Sequence, residues 1–243
     1  MPDVVEGLRS EVVGGVLEVV IDRGDDNIFS LAMCEHLGSL LARPPGGAHV
    51  LRLRAEGPAF CLGRERAGET VADLRVETAT IIGLNQALSS SSLVTVAEVG
   101  GDAAGYGAGL AALCDVSIAA PSAQFWFPEV TIDLAPSVVL TWLSRMVGRK
   151  QAFLLAATGD RVDARRAAEL GLVTEVSATD EELAEHVSAR IEGLQRWSPR
   201  VHAQISEFLL AIEDLTETQA YALAAERLVT GSLERRRDPP AHP

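Results

Sequence analysis

Apolar side chains recur along the chain with two different spacings, which predict strands and helices in alternation. Residues 10–22 contain two apolar stretches on either side of Gly14-Gly15, the pattern of a β-hairpin. Residues 31–43 carry apolar positions at helical spacing after Ser30, a residue type that caps helix N-termini. Residues 49–54 alternate apolar and polar side chains and predict a third strand.

The later periodic segments extend this alternation and then give way to helices. They predict a helix over 74–91, a strand over 93–99, a short helix and a strand over 110–120, a helix or helix pair over 137–157, a helix over 163–170 that ends at Gly171, and almost continuous helix from Asp180 to about Arg235. Strands and helices in alternation indicate the α/β class. We expect one α/β body over residues 1–176 and a helical region over residues 177–243.

Composition and charge exclude several classes of protein. With 243 residues, 47% of them hydrophobic and 23% charged, the chain is an ordinary globular protein with enough residues to bury a core. The formal net charge of −13 argues against nucleic-acid binding, which needs a basic surface. No apolar run reaches the ~18 residues of a membrane span, and the first residues lack the pattern of a secretory signal. Cys34, Cys61 and Cys114 are too few and too scattered for a disulfide framework or a metal site, so we expect reduced thiols in a cytoplasmic protein.

Glycine is concentrated in two segments, 57–68 and 100–109. The second segment, GGDAAGYGAG, has five glycines in ten residues and stands between a predicted strand and a predicted helix. A strand, a glycine loop and a helix in this order can direct backbone N–H groups at an anion. The segment lacks the G-K-[ST] ending of a Walker loop and the G-x-G-x-x-G spacing of a dinucleotide site. The residues themselves therefore predict an anion site without fixing its ligand.

Four segments, taken in order and with their spacing, resemble motifs of the crotonase (enoyl-CoA hydratase/isomerase) superfamily. Residues 57–65 (GPAFCLGRE) resemble the family's G-x-A-F-x-x-G-x-D loop, and residues 101–107 (GDAAGYG), followed by Cys114-Asp115, resemble its second glycine loop. Residues 123–130 (AQFWFPEV) resemble A-x-F-x-x-P-E, and residues 158–173 resemble T-G-x-x-x-x-A-x-x-A-x-x-x-G-L-V. Each motif alone is weak, but four in order are specific.

The resemblance implies a fold, a ligand and an assembly. The fold is α/β, a spiral of ββα units followed by C-terminal helices that assemble homotrimers or dimers of trimers. The ligand is an acyl thioester, usually acyl-CoA, with coenzyme A as part of the substrate and no separate cofactor. A thioester on an acyl carrier protein is the alternative. We expect no bound metal ion and no binding to nucleic acid or to a membrane.

The resemblance also assigns roles to individual residues. The backbone N–H groups of Arg64 and Tyr106 would form the oxyanion hole for the thioester oxygen, and Glu129 would be the catalytic carboxylate. Because an enolate carries negative charge on that oxygen, fixed N–H donors stabilise it more than the neutral carbonyl. Further substrate-binding positions implied in the same way are Cys61, Leu62, Gly63, Glu65, Arg66, Gly105, Gly109 and Asp133.

The number of glutamates bears on the reaction. Hydratases of the family place two glutamates around the substrate's α and β carbons, and the first of these positions is Gly109 here, whereas the second is Glu129. A single glutamate is the pattern of the Δ3,Δ2-enoyl-CoA isomerases, in which one carboxylate moves a proton from C2 to C4. Apolar neighbours such as Phe125 and Phe127 are expected to raise the pKa of Glu129 by desolvation.

Three other readings of the site stay open beside the isomerase. The first is a hydratase or dehydratase in which Glu129 works with water alone, or with Asp102 or Asp133 in place of the missing glutamate. The second is a decarboxylase that acts on a malonyl-type thioester, where the oxyanion hole supplies most of the catalysis. The third is a non-catalytic, crotonase-like subunit that binds a partner enzyme.

Three side chains depart from the family pattern. Tyr106 stands where the family has glycine, and its ring either closes the acyl pocket or has no role there. Arg64 replaces a small residue, and its guanidinium could reach a phosphate of the ligand. Glu98 falls in a predicted buried strand and therefore needs a polar partner, for which an arginine is one candidate.

Overall fold

A computed structural model describes residues 5–237 and contains two sheets. The larger sheet has six strands in the order β1-β2-β3-β5-β7-β10, of which β1 and β2 are antiparallel and the others pair in parallel. Its strands are β1 (Leu8–Val13), β2 (Val16–Ile21), β3 (Val50–Ala55), β5 (Val94–Val99), β7 (Val116–Ala119) and β10 (Glu175–Val176). The predicted hairpin around Gly14-Gly15 is confirmed as β1 and β2.

The smaller sheet has four short strands in the order β4-β6-β8-β9. These strands are β4 (Ala59–Cys61), β6 (Asp102–Ala104), β8 (Gln124–Trp126) and β9 (Val162–Asp163). Each of β4, β6 and β8 directly follows a long strand of the larger sheet and leads into a helix, so the chain repeats a ββα unit three times. This arrangement confirms the spiral that the motifs implied.

Helices connect and cover the sheets. They are α1 (Leu31–Ala42), α2 (Val71–Ser89), α3 (Tyr106–Ala112), a 3-10 helix (Pro128–Ile132), α4 (Ser137–Thr158), α5 (Ala164–Leu170), α6 (Leu183–Gln195), α7 (Pro199–Ile212) and α8 (Glu217–Arg237). Ser30 caps α1 as predicted, since its side chain accepts a hydrogen bond from Met33 N at 3.1 Å. The helix or helix pair predicted over 137–157 is α4, which consists of two helical stretches joined by a kink at Gly148, where φ is +75°.

Two helices begin earlier than the sequence predicted. The predicted helix 74–91 starts at Val71 because Thr70 and Asp73 cap each other's backbone N–H groups. The helix predicted near residue 110 starts at Tyr106, so the second half of the glycine-rich segment is helical rather than a loop. Helix α3 is buried on all sides, and tertiary packing therefore outweighs the low helix propensity of its glycines.

The buried core lies between the two sheets and the helices α1 to α4, and a smaller cluster joins the larger sheet to α6. In that smaller region Glu98 has the arginine partner that its burial called for, because Arg52 Nε donates to its carboxylate at 2.6 Å. All three cysteines are buried free thiols. Among residues 5–237, no helix combines the length and apolar character that crossing a membrane requires.

Candidate active site

The candidate site forms where two neighbouring strands of the smaller sheet end. Strands β4 and β6 are parallel, so the loop after Cys61 and the turn at Gly105 emerge at the same edge. The backbones of the two segments touch, because a Cβ placed on Gly107 would lie 2.0 Å from the carbonyl oxygen of Cys61. Only glycine fits at position 107, and this close approach brings the segments with Arg64 and Tyr106 together.

Each of these segments presents a backbone N–H without a protein acceptor. Tyr106 is the first residue of α3, where helical geometry leaves the N–H free. Gly105 makes the preceding turn with φ at +51°, and its own N–H is bound to Trp126 O at 2.9 Å. On either side of Arg64, Gly63 O accepts from Phe29 N at 3.0 Å and Glu65 N donates to Phe29 O at 2.9 Å. Within residues 5–237, neither the Arg64 N–H nor the Tyr106 N–H has a hydrogen-bond acceptor.

Glu129 lies at the start of the 3-10 helix that follows β8, beside this pair of loops. A Cβ placed on Gly105 would be 3.1 Å from Glu129 Oε1, so the carboxylate adjoins the turn that ends at Tyr106. The side chain is 9% exposed, and its Oε2 is buried without a partner in the described part of the chain. Burial raises the pKa of Glu129 above its ordinary value, as its apolar neighbours predicted, against the opposing effects of its own backbone N–H and of the charges of Arg66 and Arg64.

Gly109, the position of the missing glutamate, faces an indole. A Cβ at Gly109 would lie 3.3 Å from Cζ2 of Trp142, which projects from α4 and is buried. The Trp142 ring meets the Phe127 ring edge to face, with their centroids 6.1 Å apart. Any side chain at position 109 would therefore press on the Trp142 ring, which would have to shift by a few tenths of an ångström.

The two aspartates that could replace the missing glutamate are placed differently. Asp102 accepts hydrogen bonds from Gln124 N at 3.0 Å and from Arg161 at 3.1 Å, so both of its carboxylate oxygens are engaged away from Glu129. Asp133 ends the 3-10 helix in the left-handed conformation with φ at +57° and is exposed. It lines a largely apolar cavity of about 740 Å³ whose wall also includes Val130, the residue after Glu129.

The other predicted residues of the first loop make contacts within the protein or face solvent. Leu62 N donates to Asp26 O at 2.9 Å, and Cys61 is buried with its thiol 3.1 Å from Gly63 O. Glu65 forms an ion pair with Arg23, which directs its carboxylate to a structural partner. Arg66 is exposed.

The side chains of Tyr106 and Arg64 both contact protein groups. The Tyr106 ring is buried in the core, where its hydroxyl donates to Ile81 O at 3.3 Å and accepts from Cys34 Sγ at 3.6 Å. The Arg64 guanidinium bonds Glu65 O at 2.8 Å and Glu77 Oε2 at 3.2 Å, so in this structure it turns to the protein rather than to a ligand phosphate.

Sequence reasoning missed two residues at the site, Glu77 and Trp142. Glu77 stands on the apolar stripe of α2 formed with Ile81 and Leu84, and a charge at such a position was a usable signal. No local pattern connects Trp142 with Gly109, 33 positions away. The predicted roles of the remaining site residues stay predictions.

Comparisons with known proteins identify relatives over nearly the whole chain. A family model described as enoyl-CoA hydratase/isomerase matches residues 11–237. A Rhodobacter capsulatus protein described as a probable enoyl-CoA hydratase is 33% identical over 231 residues, which are 93% of this chain and 89% of the relative. A putative enoyl-CoA hydratase of Thermus thermophilus is 32% identical over 203 residues, 81% of this chain and 79% of the relative. The crystal structure of a Mycobacterium smegmatis enoyl-CoA hydratase superimposes with a TM-score of 0.89 at 26% identity, covering 96% of this chain and 92% of that one.

Proposed function

Because this chain belongs to the enoyl-CoA hydratase/isomerase family, we propose that it processes acyl-CoA and, within that chemistry, isomerises 3-enoyl to 2-enoyl thioesters with Glu129 as the only base. The observation that carries the isomerase proposal is the combination of one buried carboxylate, whose Oε2 has no hydrogen-bond partner in the described residues, with a glycine at the other catalytic position. Trp142 packs against that glycine, so no second carboxylate could be accommodated there without moving the indole.

The reaction needs little beyond these groups. The thioester oxygen would accept hydrogen bonds from the free N–H groups of Arg64 and Tyr106, which stabilise the negative charge that develops there. Glu129 would take a proton from C2, leaving a dienolate, and return it to C4 as the double bond moves from C3–C4 to C2–C3. No atom is gained or lost. The raised pKa of Glu129 makes its carboxylate a stronger base than an exposed glutamate.

The apolar surroundings of Glu129 favour a reaction in which Glu129 takes a proton from the substrate and returns it to the same molecule. Phe127 and Trp142 are buried beside the site. A dry site slows exchange of the carried proton with solvent and removes the nucleophile that a hydration requires. In this proposal the two aromatic rings therefore favour isomerisation over the addition of water.

Hydration is the second candidate function, and two observations favour it. The Rhodobacter capsulatus and Thermus thermophilus relatives are described as probable and putative hydratases. Asp133 is exposed on the wall of the cavity that Val130, the residue after Glu129, also lines, and a water molecule could reach it there. A hydratase of this kind would activate water with Glu129 and with Asp133 in place of the absent glutamate.

The deciding experiment offers 3-enoyl-CoA and 2-enoyl-CoA thioesters of several chain lengths to the wild type and to Glu129→Gln. The proposal predicts conversion of the 3-enoyl substrate without a change of mass, lost in Glu129→Gln. A product that gains one water from the 2-enoyl substrate would replace the proposal with the hydratase. Glu98→Gln is the matched control, since it removes a carboxylate that pairs with Arg52 under α6 rather than at the site.

The form of the substrate and of the assembly are further proposals. We propose free acyl-CoA as the substrate, and the same assay with thioesters on an acyl carrier protein tests the alternative. We also propose a homotrimer or a dimer of trimers, because the C-terminal helices α7 and α8 expose apolar side chains that a subunit interface would cover. These include Ile205, Leu209, Tyr221, Leu228 and Val229. Native mass spectrometry measures the subunit number directly.

A further inference from the structure

Helix α2 carries a charged side chain on its buried face. Glu77 is 3% exposed and shares that face with Ile81, Leu84 and Leu88, which pack into the core. An ionised carboxylate is costly to bury unless charged or hydrogen-bonding partners surround it. Glu77 therefore requires charged or hydrogen-bonding partners, and these partners identify the segment that its carboxylate holds in place.

All the partners of Glu77 come from one loop. Its Oε1 accepts hydrogen bonds from Ala67 N at 2.9 Å and from Gly68 N, and its Oε2 accepts from Arg64 Nη1 at 3.2 Å. The loop packs closely on the helix, since a Cβ at Gly68 would lie 2.9 Å from Glu77 Oε1. The hydrogen bond from Ala67 is the largest of the influences that hold the pKa of Glu77 below its ordinary value, so the carboxylate stays ionised.

The same loop carries the Arg64 N–H that the proposed function assigns to the oxyanion hole. Phe29 holds the backbone on both sides of Arg64, and Glu77 holds the Arg64 side chain and the next part of the loop. We propose that Glu77 is a positioning residue, whose carboxylate fixes residues 64–68 so that the Arg64 N–H points at the thioester oxygen. The proposal rests on the proposed function only for the ligand that this N–H meets.

Two substitutions divide the contributions of the carboxylate. Glu77→Gln keeps an oxygen for Ala67 N and Gly68 N and loses the ion pair with Arg64, whereas Glu77→Ala loses every contact. Loss of one oxyanion donor reduces the rate by about 10²–10³-fold. We therefore expect kcat to fall by about 10²-fold in Glu77→Ala and by about 10-fold in Glu77→Gln, with KM changed by less than about threefold. Glu98→Gln is the control, because it breaks another partly buried ion pair and should lower stability without lowering kcat.

A second readout separates this proposal from the choice of reaction. A 3-ketoacyl-CoA bound in an oxyanion hole is stabilised as its enolate, which absorbs in the near ultraviolet, and no turnover is needed. We expect the wild type and Glu98→Gln to show this band and Glu77→Ala to lose most of it while remaining folded. If the wild type shows the band but does not isomerise 3-enoyl-CoA, the isomerase proposal fails and the Glu77 variants still test the hole.

Three results would overturn the role of Glu77. One is an unchanged kcat and enolate band in folded Glu77→Gln and Glu77→Ala. Another is an equal loss of kcat in Glu98→Gln at equal loss of thermal stability, which would make the effect one of stability alone. The third is a wild type that neither shows the band nor turns over a thioester, which would remove both this proposal and the proposed function.

Discussion

Glu77 and Glu129 are both buried glutamates beside the candidate oxyanion hole, and their surroundings shift their pKa values in opposite directions. Glu77 accepts hydrogen bonds from two backbone N–H groups and one arginine, which hold its pKa below the ordinary value. Glu129 has an oxygen without any partner in the described residues, and burial raises its pKa. Burial alone therefore does not mark a base. Glu129 Oε2, which has no donor among the described residues, is free to accept a proton, whereas both oxygens of Glu77 are held by donors from the loop.

The largest effect should come from Glu129→Gln, which removes the proposed base and keeps the shape of the side chain. We expect kcat for 3-enoyl-CoA to fall by about 10³-fold, the scale of general-base catalysis. Because a buried carboxylate oxygen without a hydrogen-bond donor costs free energy, the same variant should raise the free energy of unfolding by about 1 kcal/mol at neutral pH. Steady-state kinetics and denaturant titration measure the two changes. A variant that loses activity and stability together would show that Glu129 has structural partners.

Trp142→Ala should have the next largest effect, and it tests whether the Trp142 ring keeps water out of the site. Truncation of a buried aromatic side chain typically costs about 3–5 kcal/mol of stability, measured by denaturant titration. The cavity left beside Gly109 would admit water, so some product from 2-enoyl-CoA should carry an added water, detectable by mass. Trp197→Ala is the matched control because Trp197 is 69% exposed. An unchanged product mixture in a folded Trp142→Ala would remove the role given to this ring.

Glu77→Gln should lower the free energy of unfolding, whereas Glu129→Gln should raise it. The expected loss is about 2 kcal/mol, the scale of hydrogen bonds to a charged group. Since the folded-state pKa of Glu77 is lowered, its stabilisation is present above the ordinary value of 4.5 and is lost as the pH falls through the folded-state pKa. The difference in unfolding free energy between wild type and Glu77→Gln should therefore be largest at pH 7 and decrease as the solution becomes acidic. If both substitutions changed the free energy of unfolding in the same direction, the two carboxylates would not differ in their structural role.

The smallest effect should be that of Arg66→Gln on the pH dependence of the reaction. Burial raises the pKa of Glu129, and the positive charge of Arg66 opposes this shift. Its removal should move the acid limb of kcat/KM to higher pH, because Glu129 must be ionised to act as a base. Arg75→Gln on the exposed side of α2 makes the same change in net charge and should leave the limb in place. Equal shifts in both variants would indicate a general effect of charge.

The sequence was informative where a local rule applies. The hairpin at Gly14-Gly15, the Ser30 cap and the four family motifs depend on neighbouring residues, and the structure and the comparisons confirm them. Strands β4, β6 and β8 span only three residues each, too few for a period to appear, so the smaller sheet was missed as such. Trp142 contacts Gly109, and Glu77 accepts hydrogen bonds from the loop. Both are tertiary contacts, so no spacing along the sequence reveals them.

In the proposed isomerisation, one carboxylate carries the proton from C2 to C4. The most direct test supplies 3-enoyl-CoA labelled with deuterium at both C2 positions, in ordinary water, and locates deuterium in the product by mass spectrometry. A single base in a dry site predicts that part of the deuterium removed from C2 appears at C4 of the 2-enoyl product. A product whose C4 hydrogen comes entirely from solvent, or one that has gained water, would contradict the account.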